Sequence, residues 1–331
     1  MSDAPSISRV LDRVAEGATA EAVAGLSAYE SADVEARRDA VQALSRAAED
    51  DAGAVAPLVD ALTAFLTDDE RSVRLTTAKT LVAVAEADPE AVEDAVPALA
   101  ARLADEGEFY YVRARAAEAL GYVALAAPEA VSPGVLADFR VGLEFDEREV
   151  REQLAKALEH VALGDPERLR HRVSSLAAHL DDGADRVRYH LCSAFVVVGC
   201  ASPDALADAR GALVERLDDE RAHVRGRAAE ALGVLARDAG ESVPRERLKA
   251  LGDADGEFLA ERAAFALNAD AGGAGEAGGV GTVAGVRETT AAAVEAMTAP
   301  DDEHACQHCG LALPERGPPV CPRCGAPNGP V

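Results

Sequence analysis

A run of the form Val-Arg-x-x-Ala-Ala-x-Ala-Leu-Gly stands at Val112 to Gly121 and again at Val224 to Gly233. The same anchors recur as Val73-Arg74 with Leu81, Val150-Arg151 with Leu158 and Val187-Arg188 with Phe195. Weaker copies lie at Arg37 with Leu44 and at Leu259 with Leu267. Copies about 35 to 39 residues apart have the period of stacked helical hairpins. Within one copy, Val224, Ala228, Leu232 and Leu235 fall three or four residues apart, on one face of a helix. A single hairpin cannot bury such a face alone, so the copies must stack into an array with one thin, continuous core. The expected fold class is therefore all-α.

Each copy reads as a first helix ending in Leu66, Leu103, Leu143, Leu180, Leu217 or Leu251, a short turn, and a second helix opening near the Val-Arg pair. Pro57, Pro97, Pro133, Pro203 and Pro244 stand near the starts of first helices, where a missing N–H costs nothing. Acidic turns at Asp68-Asp69, Asp105, Asp146, Asp181-Asp182 and Asp218-Asp219 precede second helices, where carboxylates accept from unpaired backbone N–H groups. The recurring Arg74, Arg113, Arg151, Arg188 and Arg225 are read as structural partners of those turns. Residues 1–29, with apolar positions Ile7, Val10, Leu11, Val14, Val23 and Leu26, are read as N-terminal capping helices, because the first inner face would otherwise meet water.

These in-register copies resemble HEAT repeats, particularly the short HEAT-like repeats named after phycobilin lyases, over residues 30–269. The resemblance implies a right-handed α-solenoid of about seven helical hairpins, with second helices lining the concave side and a common role in binding macromolecules. It does not name a function, since the family includes scaffolds, lyases and DNA-repair enzymes.

After Ala269 the pattern stops. Residues 270–303 read as a Gly/Ala-rich linker, within which Val286 to Met297 has the makings of a short helix. That helix is read as a solvent-exposed linker element, with docking on the last repeat or on a partner as the alternative. Residues 304–331 carry Cys306-Gln307-His308-Cys309-Gly310 and Cys321-Pro322-Arg323-Cys324-Gly325. Two C-x-x-C-G knuckles supply four thiolates for a tetrahedral Zn²⁺ and resemble a small zinc ribbon. With Cys306, Cys309, Cys321 and Cys324 filling all four positions, no site stays open for water and the zinc is expected to be structural. An iron centre uses the same ligands and stays open as an alternative. Folding and metal binding are expected to be one event.

Composition narrows the partner less than it first suggests. The formal charge of -26 arises from 59 acidic against 33 basic residues, of which only Lys79, Lys156 and Lys249 are lysines. This balance is that of a cytoplasmic protein from a halophile, and at molar salt fields are screened within about 3 Å. Net charge then reports solvent rather than partner. The N-terminus has no basic stretch followed by an apolar one, and no apolar run approaches a membrane span, so a soluble, cytoplasmic chain is expected.

Three residues after each second-helix anchor stand Thr76, Arg115, Gln153, His190, Arg227 and Arg262. Stacking aligns these positions along the concave groove, and Arg115, Gln153, His190, Arg227 and Arg262 form a candidate partner-binding stripe. The competing reading pairs Arg115 with Glu118 and Arg227 with Glu230 at i, i+3 on an ordinary solvated face. Cys192 and Cys200 are read as small core residues. His160, His171, His179, His190 and His223 lack the i, i+4 pairing of a metal site, and no catalytic residue is assigned. The expected function is a non-enzymatic scaffold for a protein partner, with the ribbon as a second contact. The alternative is a nucleic-acid-associated protein of DNA repair or transcription, disfavoured by an aromatic content of only 4%.

Overall fold

The short turn between two helices is the point at which each hairpin is held, and arginine holds it. A computed structural model describes residues 5–251, 256–271, 279–298, 321 and 323. Among these, the regular elements are α- and 3₁₀-helices and no strand forms. The chain divides into two compact units, Met1–Ala209 and Arg210–Val331.

The first unit opens with helices Ile7–Ala15 and Thr19–Ser27, which bury Ile7, Val10, Ala22 and Leu26. Its five second helices are α1 (Val34–Asp50), α2 (Arg71–Ala87), α3 (Tyr110–Ala126), α4 (Arg148–Gly164) and α5 (Asp185–Ala201), each 17 residues long. Equal length sets the turns at equal spacing, and each of these helices packs on the next. The first helices are shorter and partly 3₁₀, as at Glu90–Ala95 leading into Val96–Ala104. The second unit contains α6 (Ala222–Ala239), α7 (Glu257–Asp270) and α8 (Val283–Thr298). First-helix ends Leu66, Leu103, Leu143, Leu180 and Leu217 are buried, whereas Leu251 is half-buried.

Arg74, Arg151 and Arg37 each act on two turns at once. Arg74 Nη1 donates to the carbonyl of Asp68 in its own turn at 2.7 Å, while Nε and Nη2 grip the Glu108 carboxylate at 2.7 and 2.8 Å. Glu108 belongs to the next hairpin. Arg151 repeats this with the carbonyls of Phe145 and Asp146, both at 2.8 Å, and with Asp182 of the following turn at 2.8 and 3.3 Å. Arg37 does the same with Ala32 and Asp68. A planar fork suits this because one guanidinium can satisfy carbonyls and a carboxylate together. At Arg113 the pattern changes: Nε donates to the Leu103 carbonyl, and the guanidinium lies over the Phe145 ring, 4.0 Å from its centroid.

The turn aspartates accept from backbone N–H groups at the entry to the second helices. Asp68, Asp182 and Asp219 accept from the backbone N–H two residues on, at 2.8, 2.7 and 3.0 Å. They therefore close the turn at the N-cap residue instead of bonding the first helical turn, and α3 to α6 have no side-chain cap. The last glycine of the repeated run has a packing cause. A Cβ on Gly121 would stand 2.9 Å from Ala157 Cα in α4, and one on Gly233 would stand 2.9 Å from Ala266 Cα in α7. Only glycine lets these neighbouring helices approach so closely. Cys192 is buried and Cys200 half-buried.

The side chains of Arg151 and Asp182 are 17% and 8% exposed. Arg151→Ala takes the guanidinium partner from a shielded carboxylate and the side-chain donor from two turn carbonyls, a loss of about 2–4 kcal/mol. Urea unfolding followed by circular dichroism measures this directly, and a change below about 0.5 kcal/mol would show that the turn is held by something else.

Candidate binding groove

Stacking places the polar stripe on consecutive second helices, but its members meet different fates. In the first unit, Arg115 Nη1 donates to Glu118 at 2.5 Å. Lys156, from α4, donates to Glu118 and to the Tyr122 hydroxyl, both at 3.1 Å, and Tyr122 in turn donates to Glu86 of α2 at 2.8 Å. This chain of contacts crosses three consecutive helices. The Arg115, Glu118 and Lys156 side chains are 22%, 10% and 25% exposed.

Charge in this cluster is locked. Burial opposes ionisation of Glu118, yet Lys156 and Arg115 beside it outweigh that and hold its carboxyl below the ordinary range. Burial likewise opposes the Lys156 ammonium, and Glu118 with Tyr122 outweighs it, so its pKa is raised. Burial pushes the Tyr122 hydroxyl up to about 12, against the pull of Lys156. These shifts move Glu118, Lys156 and Tyr122 away from proton exchange near neutrality.

The remaining stripe positions are less available. His190 is buried and its ring meets the Glu159 carboxylate of α4. Gln153 is half-buried, and its Oε1 is shut away without a hydrogen-bond partner. Thr76 is half-buried on α2, and its carbonyl accepts from Thr80. Glu86, Tyr122 and Lys156 escaped the sequence reading, although Tyr122 and Lys156 stand on the same stripe, one turn beyond Glu118 and Gln153.

In the second unit the stripe is covered. Arg227 Nη1 donates to Glu230 at 2.7 Å, and Arg262 Nε donates to the same Glu230 oxygen at 2.9 Å. The i, i+3 pair thus forms, but it is not solvated: Arg227 and Glu230 are 0% exposed. The cover is α8. Arg227 Nη2 donates to Thr289 Oγ1 at 2.7 Å and to Thr290 Oγ1 at 3.3 Å, and Arg262 Nη2 donates to Thr289 Oγ1 at 3.3 Å. Glu230 Oε1 accepts from the Gly281 N–H at 2.7 Å, just ahead of α8. The Arg262 guanidinium stacks on the Phe258 ring, 3.5 Å from its centroid. Gly285, Val286, Ala293 and Met297 are the buried face of α8. The helix is therefore longer than the expected Val286 to Met297 and is docked, not solvent-exposed. Its small residues allow close approach, and its two hydroxyls satisfy buried guanidinium N–H groups without adding charge.

Of the four cysteines expected to bind a metal, Cys321 is buried, while Cys306, Cys309 and Cys324 lie outside the described residues. Among the described residues no cluster of His, Cys, Asp or Glu is arranged to hold a metal ion, and no helix is long and apolar enough to cross a membrane.

Neither a family model nor a curated protein matches this chain. Solved structures do. It is similar to an engineered protein at 24% identity and a TM-score of 0.61, covering 89% of this chain and 76% of that one. A second engineered protein matches at 24% identity and a TM-score of 0.56, over 65% of this chain and 97% of that one. A designed armadillo repeat protein matches at 21% identity and a TM-score of 0.53, over 63% and 98%. The chain is an all-α helical repeat protein. At these identities the likeness shows the architecture alone.

One half-buried histidine in this repeat protein gives its stability a pH dependence. His160 of α4 lies beside the Tyr122 ring, 5.1 Å between centroids, and its Nδ1 has no partner. Burial, reinforced by the Lys156 charge, pushes its pKa down to about 4. In the unfolded chain a histidine titrates near 6.5, so between about 4 and 6.5 only the unfolded state takes up the proton. Stability therefore falls as pH drops through that window. Between pH 7 and pH 5 the wild type is expected to lose about 2 kcal/mol more than His160→Gln in urea unfolding, and equal losses would place His160 in water.

Proposed function

We propose that this repeat protein is a non-enzymatic scaffold that binds a protein partner along the face of its second helices. The observation that carries this reading is the docking of α8 against Arg227, Glu230 and Arg262: the face is chemically suited to accept a helix. The locked charges of Glu118, Lys156 and Tyr122 support recognition over proton transfer. The i, i+3 and cross-helix ion pairs on this face also leave little uncompensated positive charge for a polynucleotide.

The scaffold carries a second contact in this reading. Cys306, Cys309, Cys321 and Cys324 would hold one structural Zn²⁺, a closed thiolate set suited to folding a short segment. Joined through a linker, two weak contacts on one partner act as a stronger one. The acidic, lysine-poor composition supports a cytoplasmic location in a halophile, and in this reading binding is to be measured in molar KCl.

Affinity capture of the tagged chain from its own cells, with and without nuclease, tests the scaffold. A stoichiometric, nuclease-resistant protein, depleted at least about tenfold when Arg115→Glu is the bait, is expected. Recovery of nuclease-sensitive polynucleotide with no dominant protein would replace the scaffold with a nucleic-acid function. For the metal, elemental analysis is expected to find one zinc per chain, lost in Cys306→Ser with the thermal melting of the helices unchanged. Iron in place of zinc, or a shifted melt, would overturn the metal assignment.

A further inference from the structure

The second unit shows what its groove accepts, and the first unit repeats the groove's chemistry without a described occupant. Arg227 and Glu230 stand three and six residues after the anchor Val224, and Arg115 and Glu118 stand three and six after Val112. In each unit a cation from the next second helix reaches the shared carboxylate. It is Arg262 at 2.9 Å in one and Lys156 at 3.1 Å in the other. Lys156 comes from one turn further along its helix than Arg262 does, so the two triads share composition and connectivity but not identical register.

Their surroundings differ. Side-chain exposure is 0% for Arg227 and Glu230 and 2% for Arg262, beneath α8. It is 22%, 10% and 25% for Arg115, Glu118 and Lys156. Arg227 spends Nη1 on Glu230 and Nη2 on the hydroxyls of α8. Arg115 likewise spends Nη1 on Glu118, but among the described residues its Nη2 has no protein partner. Nearby, Gln153 stands where Arg262 stands in the second unit.

We propose that the Arg115–Glu118–Lys156 triad is the docking site for a helix of a protein partner that has the chemistry of α8. That chemistry is a stripe of small residues with a Thr or Ser pair at its centre. The hydroxyl pair matters because it can accept from a guanidinium while donating to its own backbone. Thr289 does this, accepting from Arg227 while donating to the Gly285 carbonyl at 2.6 Å, and Thr290 donates to the Val286 carbonyl at 2.9 Å. The triad already contains its carboxylate, so a neutral hydroxyl completes it without a further desolvated charge. Small flanking residues are required for backbone to approach the ion pair closely. This inference rests on the scaffold reading above and specifies what the groove of the first unit recognises.

A synthetic peptide of residues 279–298, labelled with a fluorophore and carrying a photo-crosslinking group at position 292, is the probe, titrated into the full-length chain in molar KCl. Saturable binding is expected, with adducts on α3 and α4. Affinity is expected to fall about tenfold or more in Arg115→Ala and in Lys156→Met, and for a peptide with Thr289→Val and Thr290→Val. Circular dichroism establishes that both variants fold. Adducts confined to α6 and α7 would mean that the peptide only replaces the resident helix. That result, unchanged affinity in Arg115→Ala, or no saturation up to about 1 mM would overturn the proposal. A cellular partner that is lost with Arg115→Glu, combined with a peptide that does not bind, would leave the scaffold standing and remove only this helix chemistry.

Discussion

An arginine that serves two turns is the contact on which the stacking depends. Helix propensity makes each hairpin plausible, but apolar faces of Ala, Val and Leu are slippery and specify register poorly. The fork of Arg74 or Arg151 removes that freedom, because it must meet the carbonyls of its own turn and the carboxylate of the next turn together. Such a contact is directional where hydrophobic burial is not. The exception is informative: Arg113 keeps the link to its own hairpin through Leu103, and replaces the carboxylate with the face of Phe145. Both devices fix the cation opposite the following turn.

Close packing follows from the same regularity. With turns locked at a constant interval, neighbouring second helices meet at fixed heights. The final glycine of the repeated run then falls where Gly121 faces Ala157 and Gly233 faces Ala266. The helices approach closely there, and polar side chains on the stripe reach from one helix to the next. Glu118 can accept from both Arg115 and Lys156, and Glu230 from both Arg227 and Arg262, only because the spacing between helices is small. The groove's electrostatics are thus a product of its backbone packing.

The occupied groove of the second unit shows how such a face can be satisfied. Arginines buried to the extent of Arg227 and Arg262 need every donor matched or they destabilise the fold. The carboxylate of Glu230, the carbonyls of Phe258 and Val286 and the hydroxyls of Thr289 and Thr290 meet these donors, and the Phe258 ring lies against the Arg262 guanidinium. An apparently bland Ala/Thr helix is well adapted to the task, since bulkier residues would hold it away from the guanidinium groups.

What the amino-acid sequence determined by itself was everything that recurs. Apolar spacing, the Val-Arg anchor, the acidic turn and the leucine ending each first helix appear in several copies, and a repeat needs only its immediate neighbours to define its environment. The i, i+3 pairs of Arg115 with Glu118 and Arg227 with Glu230 were legible for the same reason, being local. Tertiary structure alone decided which of these pairs is shielded, because the cover over Arg227 comes from residues about 60 positions further along the chain. No periodicity connects Thr289 with Arg227, and from sequence the Ala/Thr helix reads as a solvated linker, with docking only as the alternative. The union of Lys156 with Glu118 was hidden likewise, because it depends on how closely α3 and α4 approach, a distance set by packing and not by spacing along the chain.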